Sequence, residues 1–160
     1  MKLAIVGLGG SYSDYIAARI RSEHFDEVWG INCVGGIIHV DKTIMMDPVS
    51  RFLDSDDAGS QTGIARKFLE KNTKPIITCE MDSRVKHLEL YPLEAVIKDL
   101  NICYFNNTVP YAIAYAIYYG VKELCLYGLD YTYKNVSMAE AGRACTEFWC
   151  AIATTKGIKI

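Results

Sequence analysis

No two of the six cysteines form a C-x-x-C pair; they stand at 33, 79, 103, 125, 145 and 150. That spacing argues against a zinc ribbon or a redox dithiol. Basic residues are not in excess either: 17 Lys+Arg against 19 Asp+Glu leave a net charge of −2, without the basic surplus of a general nucleic-acid binder. Long apolar runs are missing. The longest, Val109 to Tyr119, is far short of the ~20 residues of a membrane helix, and the run after Met1 is too short for a signal peptide. There is no repeat, no low-complexity segment and no Pro/Ser-rich linker. These absences lead us to expect reduced thiols in a cytoplasmic protein with no nucleic-acid and no membrane partner.

What remains is ordinary globular material. Of 160 residues, 51% are apolar and 22% charged, values that disfavour disorder, collagen and coiled coil. The length fits one domain, residues 1–160, with a core that needs no disulfide staple. Apolar, β-branched runs alternate with helical patterns. Leu3 to Val6, Glu27 to Asn32, Thr43 to Asp47, Pro75 to Cys79 and Glu123 to Gly128 read as strands. Pro48 stops the third. Ser13 to Ser22, Thr62 to Asn72 and Val109 to Tyr119 read as helices, with Gly120 ending the last. Ser137-Met-Ala-Glu140 reads as a capping box opening a long helix that Gly157 closes. Ile158-Lys-Ile160 reads as the start of a sixth strand, an edge open to a second copy and hence to a homo-oligomer. The alternation predicts an α/β fold with a mainly parallel sheet covered on both faces. The stretches 33–42, 54–61 and 80–91 read as long loops.

Chemistry concentrates at the expected carboxyl ends of the strands, where open α/β sheets bind ligands. Gly7-Leu-Gly-Gly-Ser11, Asn32, Asp47, Glu80 and Asp130 fall there. Asn and Asp are also common turn residues. Gly7, Gly9 and Gly10 between a strand and a helix let backbone approach a phosphate, with Ser11 as an added donor. A dinucleotide fingerprint is incomplete: Tyr12 holds its last glycine position, and Asn32 stands where an acid would bind ribose. Gly59-Ser-Gln-Thr-Gly63 has no following G-K-[ST] and reads as a tight turn. Asp54-Ser-Asp-Asp57 contains a D-x-D pair, which some sugar-nucleotide enzymes use to hold a cation, or which is simply a solvated loop; no metal site is assigned. His24, His39 and His87 form no ligand or triad spacing and read as surface residues. Tyr111, Tyr115, Tyr118 and Tyr119 read as helix packing. Tyr131 and Tyr133 fall at the crevice, where their hydroxyls either stabilise a leaving phosphate or pack on the glycine turn. Cys79, Cys125, Cys145 and Cys150 read as core thiols.

Three stretches resemble a known group. Gly7-Leu-Gly-Gly-Ser11 is similar to the G-x-G-P-S nucleotide loop of Rossmann-like bacterial sialyltransferases, and Ile31-Asn32 to the end of their second strand. Asn107 to Tyr131 resembles their T-S-G helix followed by a strand ending G-I-D-F. The related motility-accessory-factor and hydroxymethylpterin pyrophosphokinase-like proteins share the pattern. The resemblance spans residues 3 to about 133. It implies a Rossmann-like three-layer sandwich with a nucleotide or nucleotide sugar in the crevice. Gly7, Gly9, Gly10 and Ser11 would approach the phosphates, Asn32 the nucleotide, Asn107 and Thr108 the phosphate or ribose, and Asp130 the sugar or base. It leaves room for a divalent cation accompanying the nucleotide. Gly10 replaces the family's Pro, Thr132 falls at its phosphate-binding Tyr, and no histidine follows position 87; the lid that carries the family's base would lie beyond Ile160. The expected function is transfer of a glycosyl or pyrophosphoryl group from an activated nucleotide donor. The alternatives are a non-catalytic binder of a nucleotide-like molecule and, more remotely, an interaction domain without a ligand.

Overall fold

The computed structural model describes residues 1–132 and 134–160, Ser60 by its backbone alone. The elements run β1 (Lys2–Val6), α1 (Tyr12–Ile20), β2 (Glu27–Ile31), a 3-10 turn (Asn32–Gly36), β3 (Lys42–Met45), α2 (Val49–Asp54), α3 (Ser60–Lys71), β4 (Ile76–Thr78), β5 (Leu88–Leu90), α4 (Leu93–Leu100), α5 (Thr108–Tyr118), β6 (Glu123–Tyr127) and α6 (Val136–Thr155). The described strands form a six-stranded sheet in the order β5-β4-β3-β2-β1-β6. Every pair is parallel. The architecture is the expected Rossmann-like α/β sandwich.

Side chains alternate across each strand, so one strand feeds two cores. Leu3 and Ile5 of β1 join Trp29, Ile31, Ile44 and Ile77 beneath α4, α5 and α6. Ala4 and Val6 point the other way, to Tyr15 and Ala18 of α1. Farther along that second face, Met45 and Ile76 meet α2 and α3 through Val49, Phe52, Ala65 and Phe68. Each buried aliphatic side chain contributes about 1.5–3 kcal/mol relative to exposure.

Two details position the candidate site. Phe105 stacks on Tyr111 (4.2 Å, 12°) and on Trp149 (5.2 Å, 17°), and the Trp149 indole N–H donates to the Tyr104 carbonyl at 2.7 Å. This stack fixes the segment that delivers Asn107 to the start of α5. The Asn107 side chain then caps that helix, accepting from the Val109 amide at 3.1 Å, and Pro110 sits in the first turn, where a missing N–H costs little.

Several expectations change. The segments read as loops contain the 3-10 turn and β5, and α2 and α4 also went unread. Ser60 to Gly63 form the first turn of α3 rather than a tight turn; Gly59 alone, at φ +59°, turns the chain. The cap of α6 is Asn135, whose side chain accepts from the Met138 amide at 3.1 Å, and not Ser137, because Glu140 pairs with Arg143 instead of reaching back. Cys79 lies past the end of β4 and is exposed, Cys125 and Cys150 are half-buried, and only Cys145 among these is buried. The C-terminal strand is a single parallel bridge between Lys159 and Glu123. No described helix is long and apolar enough to cross a membrane.

Candidate functional site

From β1 the chain builds outward through β2 to β5, then returns to lay β6 on the other side of β1. The order reverses between β1 and β6, the place where open α/β sheets bind ligands beyond their carboxyl ends. The two loops there are zipped together. The Gly7 amide donates to the Tyr127 carbonyl and the Gly9 amide to the Gly128 carbonyl, each at 2.8 Å. A Cβ on Gly7 would lie 2.4 Å from the Gly128 carbonyl oxygen, and one on Gly9 would lie 2.2 Å from Asp130 Oδ2. Glycine is required at 7 and 9 because the two turns approach each other. At Gly10 a Cβ would meet nothing closer than 4.0 Å.

Asp130 completes the closure. Its Oδ2 accepts from the Ser11 amide at 2.8 Å, and its Oδ1 accepts a short bond from the Ser11 hydroxyl. The Ser11 hydroxyl oxygen in turn accepts from the Gly128 amide at 3.1 Å. A helix N-terminus attracts an anion through its unpaired amides and dipole. At α1 that anion is the protein's own carboxylate.

Beside this contact opens a cavity of about 280 Å³, walled by Gly7, Leu8, Gly9, Ile31, Asn32, Gln61, Val109 and the Gly128–Thr132 turn. An adjoining cavity of about 400 Å³ shares Ile31, Asn32 and Val109 and adds Met46, Asp47, Asn106, Asn107, Thr108 and Tyr111. Among the described residues neither wall carries a Lys or Arg. The hydroxyl of Thr108 donates to Asn32 Oδ1 at 3.5 Å, a long bond joining α5 to the end of β2. Asp47 accepts from Arg51 at 2.8 Å.

Two of the five left-handed non-glycine residues and one of the four orphaned buried polar atoms among the described residues lie at these walls. Asn32 (φ +54°) and Tyr131 (φ +52°) hold left-handed backbone. Asn tolerates that region, but a bulky Tyr pays for it, and such strain persists only where surroundings enforce it. The surroundings of Tyr131 are visible. Its hydroxyl donates to Asn107 Oδ1 at 3.2 Å and shares a short bond with the Thr146 hydroxyl. Its ring lies on Gly142, where a Cβ would come within 2.7 Å of it and 2.8 Å of Asn107 Nδ2. That Nδ2 is buried with no acceptor among the described residues, a feature that costs about 1–3 kcal/mol.

The predicted residues therefore sort by place. Gly7, Gly9, Asn32, Asp130 and Tyr131 wall the first cavity, and Asn32, Asp47, Asn107 and Thr108 the second. Ser11 is joined to Asp130, Gly10 is exposed, and neither walls these cavities. Tyr133 lies outside the described residues. Gln61, Gly142 and Thr146 were not anticipated. Gly142 had a signal, an isolated glycine inside a helical pattern; Gln61 and Thr146 had none.

The D-x-D segment is tied up by arginines. Arg84 binds Asp54 at 2.6 Å, Arg66 binds Asp56 at 3.1 Å and Arg51 binds Asp57 at 3.1 Å. Hydrogen bonds from Arg84 lower the pKa of Asp54, and those from Ser55 and then Arg51 lower that of Asp57. Arg84 also reaches Asp82 and holds it down to about 2. No cluster of metal ligands forms among the described residues. His24, His39 and His87 are exposed, and none of them walls the two cavities.

Neither a protein-family model nor a curated protein sequence matches the chain. Among solved structures, its fold is similar to that of the sialyltransferase CstII from Campylobacter jejuni, determined in complex with the substrate analogue CMP-3FNeuAc. The likeness has a TM-score of 0.59 at 18% identity and covers 98% of this chain and 76% of that one. The chain is a distant structural relative of a sialyltransferase, with the likeness carried by the fold.

Proposed function

We propose that the switch-point crevice binds a nucleotide or nucleotide sugar and that the protein is transferase-like. The observation that carries this reading is the cluster of costly features on the cavity walls: left-handed Asn32 and Tyr131 and the orphaned amide of Asn107. Folds retain such features where a site needs them. The likeness to a sialyltransferase solved with a CMP-sugar analogue supports the ligand class.

In this reading Gly7 and Gly9, whose amides are spent on the β6 turn, contribute only backbone wall to the crevice. Asn32 bonds the nucleoside, and Thr108, at the positive end of α5, faces the phosphates. Since no Lys or Arg walls the cavities among the described residues, neutral N–H and O–H donors make the anion contacts. Affinity then depends only weakly on salt. Catalysis in a transferase of this kind is positioning and charge stabilisation of the leaving phosphate; the Tyr131 hydroxyl on the wall is itself held by Asn107 and Thr146. A second reading, a binder that returns its ligand intact, is favoured by the lack of a histidine on the cavity walls among the described residues.

A thermal-shift panel of CMP, UMP, GMP, ATP and sugar nucleotides tests the binding. A ligand at a hundred times its Kd adds about 2.7 kcal/mol to apparent stability. Recovery of released nucleotide from a sugar nucleotide supports transfer, and intact ligand supports the binder. No shift with any nucleotide, with or without Mg²⁺, refutes both.

A further inference from the structure

A third cavity, of about 350 Å³, lies between the 3-10 turn and α3, on the side of the sheet away from α5. Its walls are mostly apolar: Cys33 and Ile37 from one side, Ile64 and Phe68 from the other. Ile37 and Ile64 are 64% and 59% exposed, an apolar surface open to solvent. The floor is tight, for a Cβ on Gly35 would come within 3.0 Å of the Phe68 ring. Lys67 and Lys71, one helical turn apart, form the rim. Neither has an ion-pair partner among the described residues. This contrasts with Arg51, Arg66 and Arg84, each of which is matched by aspartate. The nearest acid on the helix, Glu70, faces a different cavity, beside Arg66 and Arg84.

An apolar trough with an unneutralised cationic rim is complementary to one kind of small molecule. We propose that this groove binds an anionic amphiphile, a single short acyl or alkyl chain bearing a carboxylate or phosphate. The chain would lie on Ile37, Ile64 and Phe68, and the head group between Lys67 and Lys71. The volume accommodates about a dozen groups of water size, at ~30 Å³ each, which matches an eight-carbon chain with its head.

The groove also points somewhere. The same two elements wall the switch-point cavity, through Asn32 and Gln61. Gln61, Ile64, Phe68 and Lys71 follow one side of α3 over about 15 Å, at ~1.5 Å per residue. An amphiphile here would lie in line with the crevice, as a second substrate should. That role rests on the nucleotide reading above; the binding itself does not.

The test uses Cys33 as an internal reporter, because it lies in the groove wall. Maleimide labelling of Cys33 at pH 8 is followed by mass spectrometry with octyl phosphate, octanol or inorganic phosphate added. At ten times its Kd, octyl phosphate should slow labelling about tenfold, since only the unoccupied fraction reacts. Octanol should protect weakly and inorganic phosphate not at all. K67Q/K71Q, which changes two exposed side chains, should reduce octyl phosphate protection to the octanol level and leave octanol unchanged. Equal protection by octyl phosphate and octanol in the wild type overturns the proposal, as does protection by octyl phosphate that survives K67Q/K71Q. Lysines that serve only the helix dipole would alter the melting temperature of K67Q/K71Q and leave the labelling ratio untouched, which also overturns it. Nucleotide binding is scored separately at Gly9 and Thr108 amides, so failure of that reading leaves this result intact.

Discussion

Replacing Asp130 with alanine removes the acceptor for two donors at once, the amide and the hydroxyl of Ser11. It also leaves the start of α1 without its anion. Hydrogen bonds to a charged partner are worth about 1.5–3 kcal/mol when shielded, but Asp130 is exposed. Its loss should therefore resemble that of a helix cap, about 0.5–2 kcal/mol, with a further contribution from the second bond. We expect a total near 2 kcal/mol and a fall in Tm of about 4–8 °C for a domain of this size. Asp130→Asn keeps an acceptor and loses the charge, so it should show roughly half that loss. The diagnostic arm is added phosphate. In Asp130→Ala the vacated helix N-terminus should accept inorganic phosphate and recover part of the lost Tm, whereas the wild type should gain less from the same phosphate. Urea and thermal denaturation of the three proteins, with and without phosphate, measure this. An Asp130→Ala variant within about 0.5 kcal/mol of the wild type, or an equal gain from phosphate in both, would refute the claim that the carboxylate fills the anion seat.

Gly142→Ala should gain helix propensity of about 1 kcal/mol, but its Cβ meets the Tyr131 ring. Urea denaturation should therefore show a net loss of about 1–3 kcal/mol, with nucleotide-induced stabilisation lost as well; a more stable variant contradicts the packing. Asp82 is held down to about 2 by Arg84, below the usual value near 3.9. A depressed carboxylate stabilises the fold above the unfolded value, so this contribution should be lost as pH falls from about 4 through 2. Carboxyl NMR should place the Asp82 midpoint near the lower figure and move it up in Arg84→Ala. The thiol of Cys33 is pushed up to about 11 by burial. Its contribution is full below the ordinary thiol value near 8.5 and is lost as pH rises towards the folded value. Labelling should reach exposed Cys79 and Cys103 first and Cys33 slowly at pH 8, at a rate that climbs as pH rises.

The elements legible in the sequence are those with enough apolar signal to be read alone. β1 is a near-continuous apolar run because both its faces are covered, and β6 carries enough apolar side chains to be read although only Leu124 of it is buried. β5 failed that test: only Leu88 of its three residues is buried, and Glu89 and Leu90 face solvent at the sheet edge. α2 was hidden because it is six residues long. Pro48 was read as the end of a strand, which it is, and not also as the cap of a helix. The capping box at Ser137 matched a pattern but lost to Asn135 two residues earlier, a competition that spacing cannot settle. The crevice residues were legible as a set, since Gly7, Asn32, Asp47 and Asp130 all follow strands. The bond between Asp130 and Ser11 was not, because it joins positions 119 residues apart. Nothing local to either shows that an apparent ligand-binding acid is spent on an apparent ligand-binding serine.

The central claim is that the crevice between β1 and β6 takes a nucleotide. Amide chemical-shift mapping during titration with CMP, other nucleotides and a CMP-sugar tests it most directly. Saturable shifts are expected at Gly7, Gly9, Asn32 and Thr108, abolished in Gly142→Ala and little changed by salt. Absence of saturable binding at millimolar nucleotide, or shifts confined to the amino ends of the strands near Lys2 and Glu23, would contradict it.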